Sequence, residues 1–585
     1  MISLALIAAF VLLSCPPKAT AGLWAEPGTL ELERPTLLCL GVSWQVRGDD
    51  NHNASATLEY RQEGQEAWQR GLDLFRVDPA ALPQDRLLPA GTWLMAGSLF
   101  DLEEDTEYQL RATLTDPEGG GEVRLLKQRT RAVPRAFAGV RQLHVVPGGG
   151  GGSGTAADPF WGLAAADSQA QPGDVFLVHA GVYTGTWTLH SSGEPGRPIV
   201  WRGGVDGEAI LDAQGQAAER PERGISATGI HDVHFEQLTV RGAQFLMVAS
   251  HAQRLVLRGC HLYGGEYGFT ATAGDSAQPL LDFYLADNTI EGPSTWPRTQ
   301  GIEDARGIQV SGMGHVICHN RVRGFADAID TFQGQACTAI DIYHNELSEL
   351  TDDGIELDYS DRNTRCFRNR LTNVFQGISV QPVYGGPVYI FRNALYNVGL
   401  ETFKLHNSPS GVLAFHNTSV KQGMPLVLWT KAPVYRVITR NNLFIGTAGN
   451  YAFETTAPME GCDFDRDGFG GGPWEEFLKW NEVRYPTIEE VWGRAPVERQ
   501  AVLVDPETCF TGGLRAPGQV EVQFPVEVND LRLAASSGAL DRGERLANIN
   551  DGYSGAAPDL GAFEQGAELP PYGPRSNFTS EGQAR

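Results

Sequence analysis

The sequence predicts an all-β protein in which a solenoid of stacked short strands follows a smaller β-sandwich. Three observations carry this. Asn320, Asn345, Asn369, Asn393, Asn417 and Asn442 recur at spacings of 25, 24, 24, 24 and 25 residues. A unit of that length cannot bury its apolar face alone, so it must stack on its neighbours. Val, Ile, Phe and Tyr crowd each unit and favour strands over helices. Gly occurs 69 times in 585 residues without a short period, which implies many tight turns.

Composition bounds the function. With 42% hydrophobic and 20% charged residues the chain can bury a large core and is not disordered. The 46 basic against 71 acidic residues leave a net charge of −25. That argues against nucleic acid or an anionic membrane surface as the main partner, since both need a basic footprint. An anionic polymer could bind only through a local basic patch or a bridging divalent cation.

The first residues read as an export signal. Leu4 to Leu13 form an uncharged apolar run of ten, too short to span a bilayer stably, and Ala19-Thr20-Ala21 offers a cleavage site before Gly22. The n-region lacks Lys or Arg. A signal peptide over 1–21 predicts a secreted, extracellular or periplasmic protein. Leu12-Leu13-Ser14-Cys15 also resembles a bacterial lipobox, which implies the alternative of a lipid anchor at Cys15. No later segment is apolar enough for a transmembrane helix. The eight cysteines form no C-x-x-C pair, so a zinc or redox motif is not expected. Most read as buried thiols, with a Cys462–Cys509 disulfide left open.

Residues 22–135 alternate as strands between turns: Leu38 to Val46, Ala56 to Arg61, Thr106 to Asp116 and Glu122 to Arg129. Within them Leu102-Glu-Glu-Asp-Thr106-Glu-Tyr108-Gln-Leu110-Arg resembles the fibronectin type III signature around its tyrosine corner. The resemblance implies a spacer or adhesion module. From 140 to 565 the chain is similar to secreted right-handed parallel β-helix proteins of the pectin-lyase-like type. The likeness lies in a helix-like Gly162 to Ala170 that would cap the first coil, Pro172-Gly-Asp174 leading into a strand, Ser191 to Ile199 as the next turn and strand, and Pro558 to Glu564 at the far end. Residues 566–585 form a tail. The repeated Asn would stack as a structural ladder of side-chain amides.

The chemistry is read by aligning the coils on Ile308, Ile329, Ile355, Ile378, Phe403 and Leu426. Side chains alternate faces along a strand, so the residues just before and after these inward positions point outward. One position after gives Gln309, Asp330, Glu356, Ser379, Lys404 and Val427, and three after gives Ser311, Phe332, Asp358, Gln381, His406 and Trp429. Two before gives Arg306, Asp327, Asp353, Gln376, Glu401 and Met424, with Asp352 adding a further carboxylate. Carboxylates this dense raise one another's pKa, so the cluster should share protons, hold a divalent cation or pair with Lys404 or Arg306.

Ala326-Asp327-Ala-Ile-Asp, Asp352-Asp353-Gly-Ile, Phe375-Gln376-Gly-Ile-Ser and Thr402-Phe-Lys404 fall on successive coils. There they resemble the N-T-D, D-D, G-H-G and R-I-K motifs of polygalacturonase-type glycoside hydrolases. The resemblance carries that family's catalytic Asp onto Asp327, Asp352 and Asp353, and its Lys onto Lys404. Its His becomes Gln376 and its Arg becomes Thr402, which keeps the chain from being read as a polygalacturonase.

The expectation is therefore a polysaccharide-cleaving enzyme with Asp327, Asp352, Asp353, Glu356 and Lys404 as catalytic candidates. Asp330, Asp358, Gln381, His406 and Trp429 are the substrate-binding candidates. Hydrolysis leads. Calcium-assisted β-elimination on a uronic-acid polymer is the rival, with Asp330, Glu356 and Asp358 as oxygen ligands and Lys404 or His406 as base. A non-catalytic glycan-binding solenoid with Trp429 and Tyr384 as platforms is the third. Separately, Cys462-Asp463-Phe-Asp465-Arg-Asp467-Gly468 resembles the start of an EF-hand loop, making Asp463, Asp465 and Asp467 metal candidates. Trp474 stands where the hand's Glu would fall. Glu475 to Trp480 and Thr487 to Trp492 read as helical.

Overall fold

The computed structural model describes residues 22–138, 141–215, 218–298 and 304–576. The expected signal peptide over 1–21, the expected lipid-anchor Cys15 and the end of the tail lie outside them. Among the described residues no helix is long and apolar enough to cross a membrane.

Residues 22 to about 135 fold as two four-stranded antiparallel sheets. One runs in the order Ala25–Leu32, Leu40–Gly48, Thr92–Leu99, Phe75–Val77, and the other Gln69–Arg70, Ser55–Gln62, Glu107–Thr115, Gly121–Arg129. Alternation explains the faces: Ala56, Leu58 and Tyr60 of one strand and Leu110, Ala112 and Leu114 of another point into a core around fully buried Trp44. The Tyr108 hydroxyl accepts a hydrogen bond from the Glu103 backbone N–H at 2.9 Å, closing the corner the sequence anticipates.

The rest is a parallel β-solenoid. A 14-stranded and a 20-stranded parallel sheet run its length, and one apolar core extends from Leu143 to Ala501. The ladder is its main polar spine. Each Asn Nδ2 donates to the next Asn Oδ1, from Asn288 through Asn320, Asn345, Asn369, Asn393 and Asn417 to Asn442, at 2.8–3.0 Å. All are buried. The residue before each rung from Asn320 onward is left-handed: His319, His344, Arg368, Arg392, His416 and Asn441 have φ between 52° and 61°. That conformation is unfavourable away from Gly, and the amide bonds at every turn offset it.

The ladder ends on a carboxylate. Asp467 Oδ1 takes the amide of Asn442 at 2.9 Å and Oδ2 takes the Thr439 hydroxyl at 2.6 Å. Beside it Glu498 is also fully buried. Burial, then the neighbouring Asp467, pushes the Glu498 carboxyl well above the usual carboxylate range, so it stays protonated and donates to Asp467. Glu498→Gln keeps a donor there and should change stability by less than about 1 kcal/mol, whereas Glu498→Ala strands Asp467 and should cost about 2 kcal/mol in thermal unfolding.

Two local expectations are corrected. Trp474–Trp480 is a strand and not a helix, pairing with Gly449–Thr455, because the preceding coil supplies a sheet edge for it. Thr487 to Trp492 does hold a helix, Ile488–Arg494, whose Thr487 side chain caps the Glu490 N–H. The capping helix of the first coil shortens to Leu163–Asp167. Cys462 and Cys509 are both free thiols, as are the other five described cysteines.

The sandwich lies against the solenoid's flank. Phe100 packs edge-on against Tyr389 and Phe391 with centroids 4.9 and 5.0 Å away. Asn548 accepts from Phe100 N and donates to Phe100 O and the Tyr60 hydroxyl. Glu33 takes bonds from Arg362 and Asn363.

Candidate active site

The coil register aligns the acidic residues. Ile308, Ile329, Ile355, Ile378 and Phe403 pair across successive coils, and with them Gln309, Asp330, Glu356, Ser379 and Lys404. Two positions earlier Arg306 pairs with Asp327, and Asp353 with Gln376. The strands are Arg306–Val310, Asp327–Thr331, Glu346–Glu356, Arg370–Ser379 and Phe403–Lys404. A small residue, Gly307, Ala328, Gly354 or Gly377, separates each pair of outward side chains. At Gly307, Gly354 and Gly377 a Cβ would come within 2.3–2.6 Å of a side chain or backbone oxygen of a neighbouring coil, so close stacking requires Gly there.

Asp327, Asp353 and Glu356 each place a carboxylate oxygen within 4.8 Å of the others. Asp327 and Asp353 are fully buried, and Glu356 is the most open at 8% exposure. Asp327 Oδ1 accepts the Asp353 backbone N–H at 2.7 Å, which fixes one coil against the next. Arg306 sits 2.5 Å from Asp327 Oδ2 and 3.5 Å from Asp330. Lys404 Nζ sits 2.6 Å from Asp353 Oδ2. Gln309 donates to Asp330 Oδ2 at 2.7 Å.

Burial dominates the electrostatics. Burial and Glu356 press Asp327 and Asp353 upward, while the charged Arg306 and Lys404 lying against them pull both back toward the ionised form. Burial and then Asp330 bring Glu356 up to about 7, and burial, helped by Asp353, outweighs Gln309 and Arg306 to bring Asp330 to about 7. Burial would lower Lys404, but Asp353 overrides it and the ammonium is held charged. Arg306 is held charged in the same way by Asp327. Two fixed cations require ionised partners, while the remaining carboxyls keep protons near neutrality.

The other expected site residues take these places. Asp352 lies outside the triad, 28% exposed, with Arg298 at 4.0 Å. Asp358 is buried and accepts from the Ser379 hydroxyl and the Gln381 N–H at 2.9 and 2.8 Å, which holds the turn at Gln381. His406 lies 3.2 Å from Glu401. Trp429 is 38% exposed, donates from its backbone to Glu401 at 2.6 Å and from its ring N–H to Glu454 at 2.9 Å. Asp463, Asp465 and Asp467 do not converge. Asp463 pairs with Arg440 and Asp465 accepts from Gln500, while the strand ends at Asp465 and the left-handed Arg466, φ 60°, turns the chain so that Asp467 ends the Asn ladder. Arg306, Gln309 and Glu401 belong to the row as partners of the acids. Their alignment positions signalled this, and only their pairing was missing from the sequence.

A divalent ion fits this cluster poorly. The donors are hard oxygens, but the ammonium of Lys404 and the guanidinium of Arg306 already lie against the two carboxylates an ion would need. The expected calcium set of Asp330, Glu356 and Asp358 does not assemble; the carboxylates that meet are Asp327, Asp353 and Glu356. A surface hollow lined by Thr289, Glu291, Arg321, Arg323, Glu346 and Phe524 lies elsewhere, with Glu291 paired to Arg323 and Glu346 to Arg321.

The sequence matches no family model and no curated protein. Among solved structures, a complex of XylC with xylose aligns at 11% identity over 73% of this chain and 99% of its own, with a TM-score of 0.46. The catalytic domain of a GH87 alpha-1,3-glucanase with tetrasaccharides aligns at 13% identity over 79% of this chain and 90% of its own, with a TM-score of 0.36.

Proposed function

We propose that the chain is a polysaccharide hydrolase whose reacting groups are Glu356 and Asp353. The observation that carries this is the triad itself: buried carboxyls within 4.8 Å of one another, between two fixed cations. Glycoside hydrolysis needs one protonated carboxyl to assist the leaving group and one ionised carboxyl to act on the sugar or on water. Glu356, the most open and the one brought up to about 7, is the proton donor. Asp353 against Lys404 is the ionised partner. Asp327 and Arg306 position Asp353 through the 2.7 Å bond to its backbone. The sandwich is read as a fibronectin type III-like module, docked on the flank and outside the acidic row.

Support for hydrolysis over elimination comes from Lys404. An eliminating base must be neutral to take a proton, and Asp353 holds this ammonium charged. Activity should resist a chelator, and products should carry new reducing ends without the ultraviolet absorbance of an unsaturated sugar. Absorbing products lost on chelation would replace this reading with the lyase.

The pH profile follows from the donor. As pH rises through about 7, Glu356 loses its proton and kcat/KM should fall about tenfold per further pH unit. Asp330 also stands at about 7, so the limb needs assignment. Asp330→Asn should keep the limb but move it to lower pH, since Asp330 helps raise Glu356, and an Asp330→Asn enzyme without the limb would move the donor role from Glu356 to Asp330.

A further inference from the structure

The strand position of Asp327 and Asp353 continues in both directions. Register carries it back from Asp327 through Arg306 to Tyr267 and then Phe245. Forward it passes from Asp353 to Gln376. Beyond that, hydrogen bonds take over. Gln376 Oε1 accepts the Glu401 N–H at 2.9 Å, and Glu401 Oε1 accepts the Trp429 N–H at 2.6 Å. The same side-chain-to-next-coil link joins Asp327 to Asp353. One row therefore runs from an aromatic pair, through the acids, to a second aromatic.

Both ends carry rings that the fold leaves partly open. Phe245 and Tyr267 stack on consecutive coils with centroids 4.2 Å apart and planes 11° from parallel, and both are half-buried. Trp429 is 38% exposed, and its ring is held by the bond to Glu454. By strand spacing Tyr267 stands two coils, about 10 Å, before Asp327, and Trp429 three coils, about 14 Å, beyond Asp353. The C–H faces of a sugar ring are apolar and pack on aromatic side chains, which combine apolar area with few rotamers to freeze. Between the rings the acids Asp327, Asp330, Asp353, Glu356 and Glu401 outnumber Arg306 and Lys404. Arg306 and Lys404 are already paired with Asp327 and Asp353, so a uronate carboxylate would find no unpaired cation in the row to receive it.

Taking the acidic row as the hydrolytic centre described above, we propose that it is one cleft for the interior of a neutral polysaccharide. Its sugars rest on the Phe245–Tyr267 strip on one side of the acids and on Trp429 on the other. Bound this way, a chain presents an internal linkage to Glu356.

The test is affinity electrophoresis of Glu356→Gln protein in native gels cast with mixed-linkage glucan, xylan, galactomannan or dextran, beside product sizing with the wild type. At least one polymer should retard the protein. Trp429→Ala and Tyr267→Leu should each weaken that retardation tenfold or more, and the wild type should cut the same polymer's viscosity ahead of its release of reducing ends. Trp429 is partly exposed, so its variant stays informative if Tyr267→Leu misfolds, which a melting curve reads directly. No retardation by any polymer, retardation unchanged in a folded ring variant, or release of chain-end products alone would overturn the cleft. Retardation lost in the ring variants with no cleavage by the wild type would keep the cleft and sink the hydrolytic reading.

Discussion

Glu356→Gln is expected to lower turnover by about a thousandfold, within the range a positioned general acid supplies, while making the folded protein more stable at alkaline pH. The two effects have one cause. The folded state brings Glu356 from its ordinary 4.5 up to about 7, chiefly by burial. Its folded pKa therefore lies above its unfolded one. Between the two values the unfolded chain gives up the proton while the folded chain keeps it, so rising pH penalises folding until the penalty is complete above about 7. At 1.36 kcal/mol per unit this amounts to roughly 3 kcal/mol. Glutamine has no proton to release. The Tm of the variant should exceed that of the wild type at pH 8, and the gap should close below about pH 4.5, where both states are protonated. Activity retained in a folded Glu356→Gln protein would remove Glu356 from the reaction. Equal melting curves across pH would show that the site does not strain the carboxyl.

Lys404 marks the limit of what the sequence conveys about the site. Its place in the column beside Glu356 and Ser379 follows from counting residues from Ile355, Ile378 and Phe403, and the pairing has that register. The separation of Asp352 from Asp353 was less legible, because two adjacent carboxylates look equivalent until the strand's alternation buries one and leaves the other 28% exposed. Ion pairing was least legible. Arg306 and Lys404 both stood among candidate partners, yet which acid each takes depends on rotamers across coils. The ladder was legible because its period was, whereas its terminator was not: Asp467 breaks the Asn pattern while doing an Asn's work, so it read as a metal ligand. Likewise Trp474–Trp480 became a strand through an edge supplied by the neighbouring coil, information that no local window holds.

The largest expected loss of stability lies in that ladder. Asn345 joins four groups that have no water to turn to. Its Oδ1 accepts from the backbone and side-chain amides of Asn320 at 3.0 Å each, and its Nδ2 donates to Ile317 O at 3.0 Å and Asn369 Oδ1 at 2.9 Å. Asn345→Leu has nearly the right volume and supplies none of these partners. Each buried group left unpaired costs about 1–3 kcal/mol, so the substitution should cost about 4 kcal/mol or more, a large share of a domain's stability. His344, held left-handed at φ 54° by the turn that the ladder closes, loses its support at the same time. The damage should spread by position. In hydrogen exchange the coils around Asn320, Asn345 and Asn369 should lose protection first, while the sandwich core around Trp44, which touches none of these rungs, should keep it. Asn345→Asp retains an acceptor for both Asn320 donors and should fall between the two, as Asp467 does naturally at the ladder's end. A leucine variant that melts within about 1 kcal/mol of the wild type would mean that the apolar core from Leu143 to Ala501, and not the amide spine, holds the coils in register.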